Sequence, residues 1–250
     1  RLYTLKYGGY KQVLSIGRVQ TPTLAMLVNR YYEIENFVPK LYWELETIYR
    51  GTQFNNIKGK FFKKEDGEKF LNQVKGKDLH ISKVEKKDGK EYAPKLFDLT
   101  GLQVYCNNKF NYTAETTLKI VQKLYEMKVV SYPRVDTVFL PNDMYPKVPG
   151  ILKGLKNYSE FTELLLGKSI RKSKKVFNDK KVTDHHAIIP TGEQKSLGLD
   201  QSKVFDAIVR RFIAVFYPDC KVAKTQVDAV VAEVKFVAKG KEIIDEGWRV

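Results

Sequence analysis

Ser131-Tyr132-Pro133-Arg134-Val135-Asp136-Thr137 places a phenol, a guanidinium and a carboxylate within one short stretch of chain. A tyrosyl hydroxyl is a weak nucleophile at its free pKa of about 10, so a fixed neighbouring cation is needed to favour the phenolate and hold an anionic phosphodiester. Arg134 suits that task, because its planar fork binds phosphate bidentately and stays charged. Pro133 fixes one backbone dihedral and biases Tyr132 toward extended backbone, which limits how the two groups can be oriented. The same residue types are ordinary in a turn or at a strand end. The string therefore has to be weighed with the rest of the chain.

Composition points the same way. Forty-four Lys and Arg against 29 Asp and Glu leave a net charge of +15, which favours a polyanionic partner. Aromatic residues make up 12%, enough to supply both a core and stacking surfaces for bases in a groove tracked by cations. Cys106 and Cys220 lie far apart with no CxxC pair, which argues against a zinc site or disulfide framework and for a reducing, cytoplasmic setting. There is no apolar run of membrane length and no signal peptide. The chain starts at Arg1 without an initiator Met, so a piece of something larger is expected.

Working upstream from Tyr132, the pattern predicts a helix from Ala93-Pro94 through Leu99, Leu102, Tyr105 and Cys106, followed by a turn at Asn107 to Tyr112. Thr113 caps the next helix. Leu118, Val121 and Tyr125 carry it to Met127-Lys128, and Val129-Val130-Ser131 lead into the tyrosine. Downstream, Ser202 to Tyr217 reads as an amphipathic helix with Arg210 and Arg211 solvated on its outside. Alternation predicts strands from Leu41 to Tyr49, near Leu79 to Val84 and from Thr225 to Val237, with a short helix near Glu65 to Val74. Strand-rich segments thus flank a helical middle. At the start, Thr21 and Pro22 read as N-cap and first residue of a helix whose Leu24, Leu27, Tyr31 and Ile34 share a face. Arg18 and Gln20, just before that helix, suit a phosphate site at its N-terminus, or simply lead into a well-capped helix.

The basic run Lys168 to Lys181, which includes Lys174 and Lys175, leads into Thr183-Asp184-His185-His186-Ala187-Ile188-Ile189-Pro190-Thr191. Adjacent histidines diverge and lack an HxxxH or DxD partner, so a proton transfer or a hydrogen bond to a phosphate oxygen suits them better than a metal. A metal-dependent phosphoesterase would need further ligands, and His80 is the one other histidine.

The strings Gly17-Arg18-Val19-Gln20-Thr21-Pro22, Ser131 to Thr137 and Asp184-His185-His186-Ala187-Ile188-Ile189-Pro190-Thr191-Gly192, in that order, closely resemble the type IA DNA topoisomerases, most nearly the bacterial topoisomerase III branch. Leu96-Phe97-Asp98-Leu99 and Thr117 to Glu126 resemble that family's helices before the active-site tyrosine. The resemblance implies a multidomain α+β fold, with a helical tyrosine-bearing domain inserted in a β-rich arch. Residues 1–36 would be part of a strand-binding domain, 37–94 and 219–250 the arch, and 95–218 the helical domain. It makes Tyr132 the nucleophile that joins a 5′ phosphate, Arg134 its phosphate contact, and His185 and Glu126 supporting catalytic residues. Arg18, Gln20, Asp136, Thr137, Lys174 and Lys175 would meet DNA. The strand would reseal without ATP after another strand has passed.

Two departures stand out. Val135 and Thr137 occupy places where the family carries Thr and Ser; valine keeps threonine's shape without its hydroxyl. The family's magnesium site also needs an acidic DxDxE string, and none lies between Arg1 and Val250. The implied Mg²⁺ would then sit outside this chain, with none bound by it, and the chain alone would bind single-stranded DNA without cutting it. The expected partner is single-stranded DNA, with a helicase as a further possibility, at the bacterial nucleoid and away from membranes. A non-catalytic single-strand-binding module is the alternative.

Overall fold

A computed structural model describes residues 2–8 and 16–249, and the chain divides into two compact units, Arg1–Ser82 with Asp228–Ala238 and Lys83–Val227 with Lys239–Val250. In the first unit, α1 (Leu2–Tyr7) and α2 (Gln20–Glu35) precede the hairpin β1 (Trp43–Tyr49) and β2 (Thr52–Phe61), and α3 (Lys64–Val74) follows. α2 starts at Gln20 rather than at Pro22, and Val19 takes the cap position with no side-chain bond. Thr21 instead accepts the Gly17 amide on its Oγ1 at 3.2 Å. Pro22 sits in the first turn, where an N–H would have no intrahelical partner. The stripe of Leu24, Leu27, Tyr31 and Ile34 is exposed.

β2 was not apparent in the sequence, because Asn55, Asn56 and Gly59 dilute the β pattern. Tertiary bonds supply what propensity lacks. Asn56 is buried, and its Nδ2 donates to the Lys235 carbonyl at 3.0 Å while its Oδ1 accepts the Lys58 amide. Arg50 and Gly51 both adopt positive φ, the geometry that joins two-residue hairpins with the right twist. Phe70 of α3 packs on Phe61 at 5.2 Å.

β3 (His80–Glu91), β4 (Cys220–Val231) and β5 (Val234–Asp245) complete a five-stranded sheet of order β1-β2-β5-β4-β3, in which β1–β2 and β2–β5 are antiparallel. The single strand expected over Thr225 to Val237 is therefore two. Ala232 and Glu233 turn between them with φ of 44° and 70°, a conformation that neither residue advertises.

The second unit holds α4 (Leu99–Phe110), α5 (Ala114–Glu126), α6 (Val148–Gly154), α7 (Ser159–Leu166) and α8 (Leu199–Ala214). Asp98 caps α4 by accepting the Gly101 amide at 2.6 Å. That helix runs to Phe110, and Asn111 ends it in the left-handed region, so the turn expected from Asn107 shrinks to its last residues. Thr113 caps α5 as expected, accepting the Thr116 amide at 3.0 Å. Leu102, Val121, Leu124, Ile208 and Phe212 from α4, α5 and α8 form a fully buried core. Arg211 is not solvated as expected: its guanidinium lies 4.0 Å from the Phe97 ring centroid.

Candidate active site

α5 ends in a turn at Lys128, whose φ is 64°, with the Lys128 amide bonded to the Tyr125 carbonyl and the Val129 amide to the Leu124 carbonyl. The chain then runs extended and is joined to the segment about sixty residues later. The Thr191 amide donates to the Val129 carbonyl at 3.0 Å, and the Ser131 amide to the Ile189 carbonyl at 2.9 Å. The Ser131 hydroxyl adds two bonds, accepting the Ile189 amide at 2.9 Å and donating to the Ala187 carbonyl at 3.1 Å. Val129, Val130, Ala187, Ile188 and Ile189 are all buried, so apolar burial holds together what the backbone bonds align. The Ile188 amide reaches the Phe97 carbonyl, and the Leu99 amide the Val135 carbonyl, tying both segments to the start of α4.

This stitching brings Tyr132 and His185 together. Their ring centroids are 4.5 Å apart with planes tilted by 42°. Tyr125 closes the other side of the phenol, edge-on at 5.4 Å. Tyr132 is half-buried and lines a cavity of about 640 Å³ with His185, His186, Asp143, Asp179 and Asp184. Asp179 is held by the Asn142 amide at 2.7 Å, and these hydrogen bonds lower its pKa below the usual carboxylate value. The acidic wall disfavours a phosphate deep in the cavity.

Along Pro133 to Thr137 burial alternates: Pro133, Val135 and Thr137 point inward, Arg134 and Asp136 outward. Arg134 is exposed, and among the described residues no acid pairs with it, so its guanidinium is available to an anion. It does not line the Tyr132 cavity, nor does Glu126, which is exposed at the end of α5 and accepts from Gln122 Nε2 at 3.2 Å. Val135 lies in the hydrophobic core. Thr137 is buried with its hydroxyl committed inside the protein, donating to the Lys181 carbonyl at 2.6 Å and accepting the Phe139 amide. It anchors the basic segment. Lys174 and Lys175 are exposed at the rim of a separate hollow with Lys95 and Lys181. Arg18 and Gln20 belong to the first unit, both exposed, with Gln20 the first residue of α2. Tyr125 and the Ser131 hydroxyl escaped the sequence reading. Their only signal was closeness to Tyr132 along the chain.

Among the described residues no group of three or more His, Cys, Asp or Glu side chains could hold a metal ion.

The fold is that of a topoisomerase. It matches the full-length topoisomerase I from Thermotoga maritima with a TM-score of 0.72 at 23% identity, over 99% of this chain and 42% of that one. A family model described as DNA topoisomerase matches residues 1–250, and the chain belongs to that family, the type IA DNA topoisomerases. It is 38% identical to DNA topoisomerase 3 of Bacillus licheniformis and 36% to that of Bacillus subtilis, each over 247 residues and 94% of this chain. The chain spans about a third of the length of these relatives, 34% in each case.

Proposed function

We propose that this chain supplies the tyrosine-bearing part of a type IA topoisomerase that cuts and reseals one DNA strand. The observation that carries the reading is Tyr132 held between Tyr125 and His185 at an open cavity, with the unpaired Arg134 two residues away. Tyr132 Oη attacks the phosphorus and gives up its proton. The bond from phosphorus to the 3′ oxygen breaks, and that oxygen takes up a proton and leaves as a hydroxyl. The 5′ phosphate stays on the tyrosine as an ester of similar energy, so the reverse attack reseals the strand without ATP. Arg134 balances charge on the nonbridging oxygens. His185, stacked on the phenol, limits its rotation and offers a ring nitrogen to the phosphate or to the departing proton.

In this reading residues 95–218 form the helical gate, 37–94 with 219–250 the arch on which it swings, and 1–36 part of the strand-binding domain. Arg18, Gln20, Asp136, Lys174 and Lys175 border the path of the single strand, and Glu126 supports the site from the end of α5. Magnesium held by a part of the enzyme outside this chain would supply charge stabilisation to the phosphate. The chain alone therefore binds single-stranded DNA without cutting it. Incubation with a labelled oligonucleotide and magnesium tests this on a native and a denaturing gel. A complex that survives only the native gel agrees. A covalent adduct of the chain alone, lost in Tyr132→Phe, would show that the chain holds a complete site.

A further inference from the structure

A second cavity of about 440 Å³ lies between α4, α7, α8 and the turn Gly247–Arg249, and it shares no lining residue with the Tyr132 cavity. Three arginines line it, Arg210, Arg211 and Arg249, and no carboxylate does. Two of them have acids to hand: Arg210 Nε donates to Asp206 at 2.9 Å, and Arg249 pairs with Glu91. Arg211 has none among the described residues. Its Nη1 donates to the Lys95 carbonyl at 3.0 Å, and its guanidinium rests on the rings of Phe97 and Tyr105.

Arg211 is half-buried, and that burial pulls its pKa below the ordinary arginine value. A guanidinium withdrawn from water is normally met by an acid, because an unpaired desolvated charge is costly. Among the described residues most of its five donors have no hydrogen-bond partner, which is the condition an anion would relieve. The remaining walls are aromatic. Trp248 is fixed by donation from its Nε1 to the Glu91 carbonyl at 2.9 Å, carries the Arg249 guanidinium 5.1 Å from its ring, and lines the cavity together with Tyr105 and Phe161. Flat rings next to guanidinium groups match a base next to its phosphate, and the volume falls within the range of small-ligand sites.

We infer that this cavity is a second nucleotide site, holding one nucleotide unit of a single strand with its phosphate on Arg211 and its base against Trp248. It stands apart from Tyr132 and does not depend on the cleavage chemistry.

The chain has two tryptophans, so in a Trp43→Phe background Trp248 alone reports. Titration with deoxyadenosine 5′-monophosphate should quench Trp248 saturably. Tyr132→Phe should leave that binding unchanged, and Arg211→Gln should weaken it about tenfold or more. Absence of saturable quenching overturns the inference. So does equal binding of deoxyribose 5-phosphate, which would mark a bare anion site, or unchanged binding in Arg211→Gln. If Arg211→Gln loses its helical circular dichroism, Arg211→Met, which keeps an apolar stem on the rings without the charge, takes its place, and undiminished binding there counts equally against the site.

Discussion

Replacing Ser131 with alanine removes a side chain that makes two bonds across the seam between the tyrosine segment and the histidine segment. Among the described residues the Ile189 amide has no other acceptor, and it sits in a residue that is 2% exposed. The Ala187 carbonyl is less dependent, because His186 Nδ1 also lies 2.8 Å from it. An orphaned buried N–H costs roughly 1–3 kcal/mol, and a lost bond to a carbonyl that keeps another partner costs less, so Ser131→Ala should lose about 2 kcal/mol. Urea unfolding followed through Trp248, again with Trp43 replaced, reads this in the unit that contains the seam. Ser131→Thr keeps the hydroxyl and should lose clearly less. If Ser131→Ala unfolds within about 0.5 kcal/mol of the parent, the hydroxyl does not hold the two segments, and the explanation of how His185 reaches Tyr132 is wrong.

Other substitutions probe separate links. A Cβ on Gly154 would stand 2.2 Å from the Gly192 carbonyl oxygen, so Gly154→Ala should destabilise by about 2 kcal/mol or more, whereas Gly150→Ala on the same helix, with open space around it, should be neutral or slightly stabilising in the same unfolding assay. Val135→Thr buries a hydroxyl in an apolar core. It should lose about 1–2 kcal/mol while leaving Tyr132 adduct formation in the complete enzyme unchanged; equal stability would mean that the core accommodates the hydroxyl. Burial pushes the Cys106 thiol up to about 11. The folded state thus holds this proton more tightly than the unfolded one, and the contribution to stability is full below the unfolded thiol's pKa and fades as pH rises toward the folded value. The urea midpoint should fall across that alkaline window, and native Cys106 should resist a thiol reagent near neutral pH until denaturant is added.

The sequence spoke clearly where one local rule acted alone. Thr113 capping α5, the extent of α3 and the exit from α5 toward Tyr132 all follow from capping and the helical period. It spoke poorly where distant contacts decide conformation. Asn56 holds β2 in place through a bond to Lys235, and Ala232 and Glu233 turn without a turn signature because β4 and β5 demand it. At the site, Tyr132 and His185 could be named from their strings, but their contact depends on Ser131 and on backbone bonds spanning about sixty residues. Arg211 shows the reverse error: helical periodicity put it in solvent, yet its neighbours Phe97 and Tyr105 on other elements draw it in. Thr137 likewise read as a DNA contact, while its hydroxyl is engaged with Lys181.

The central claim is that Tyr132 becomes joined to a 5′ phosphate. In the complete enzyme that contains this chain, a single-stranded oligonucleotide labelled at its 3′ end, incubated with magnesium and run on a denaturing gel, measures that directly. The label should migrate with the protein, map to the peptide containing Tyr132 and vanish in Tyr132→Phe. A 5′-end label carried by the protein, or an adduct that survives Tyr132→Phe, would contradict the account.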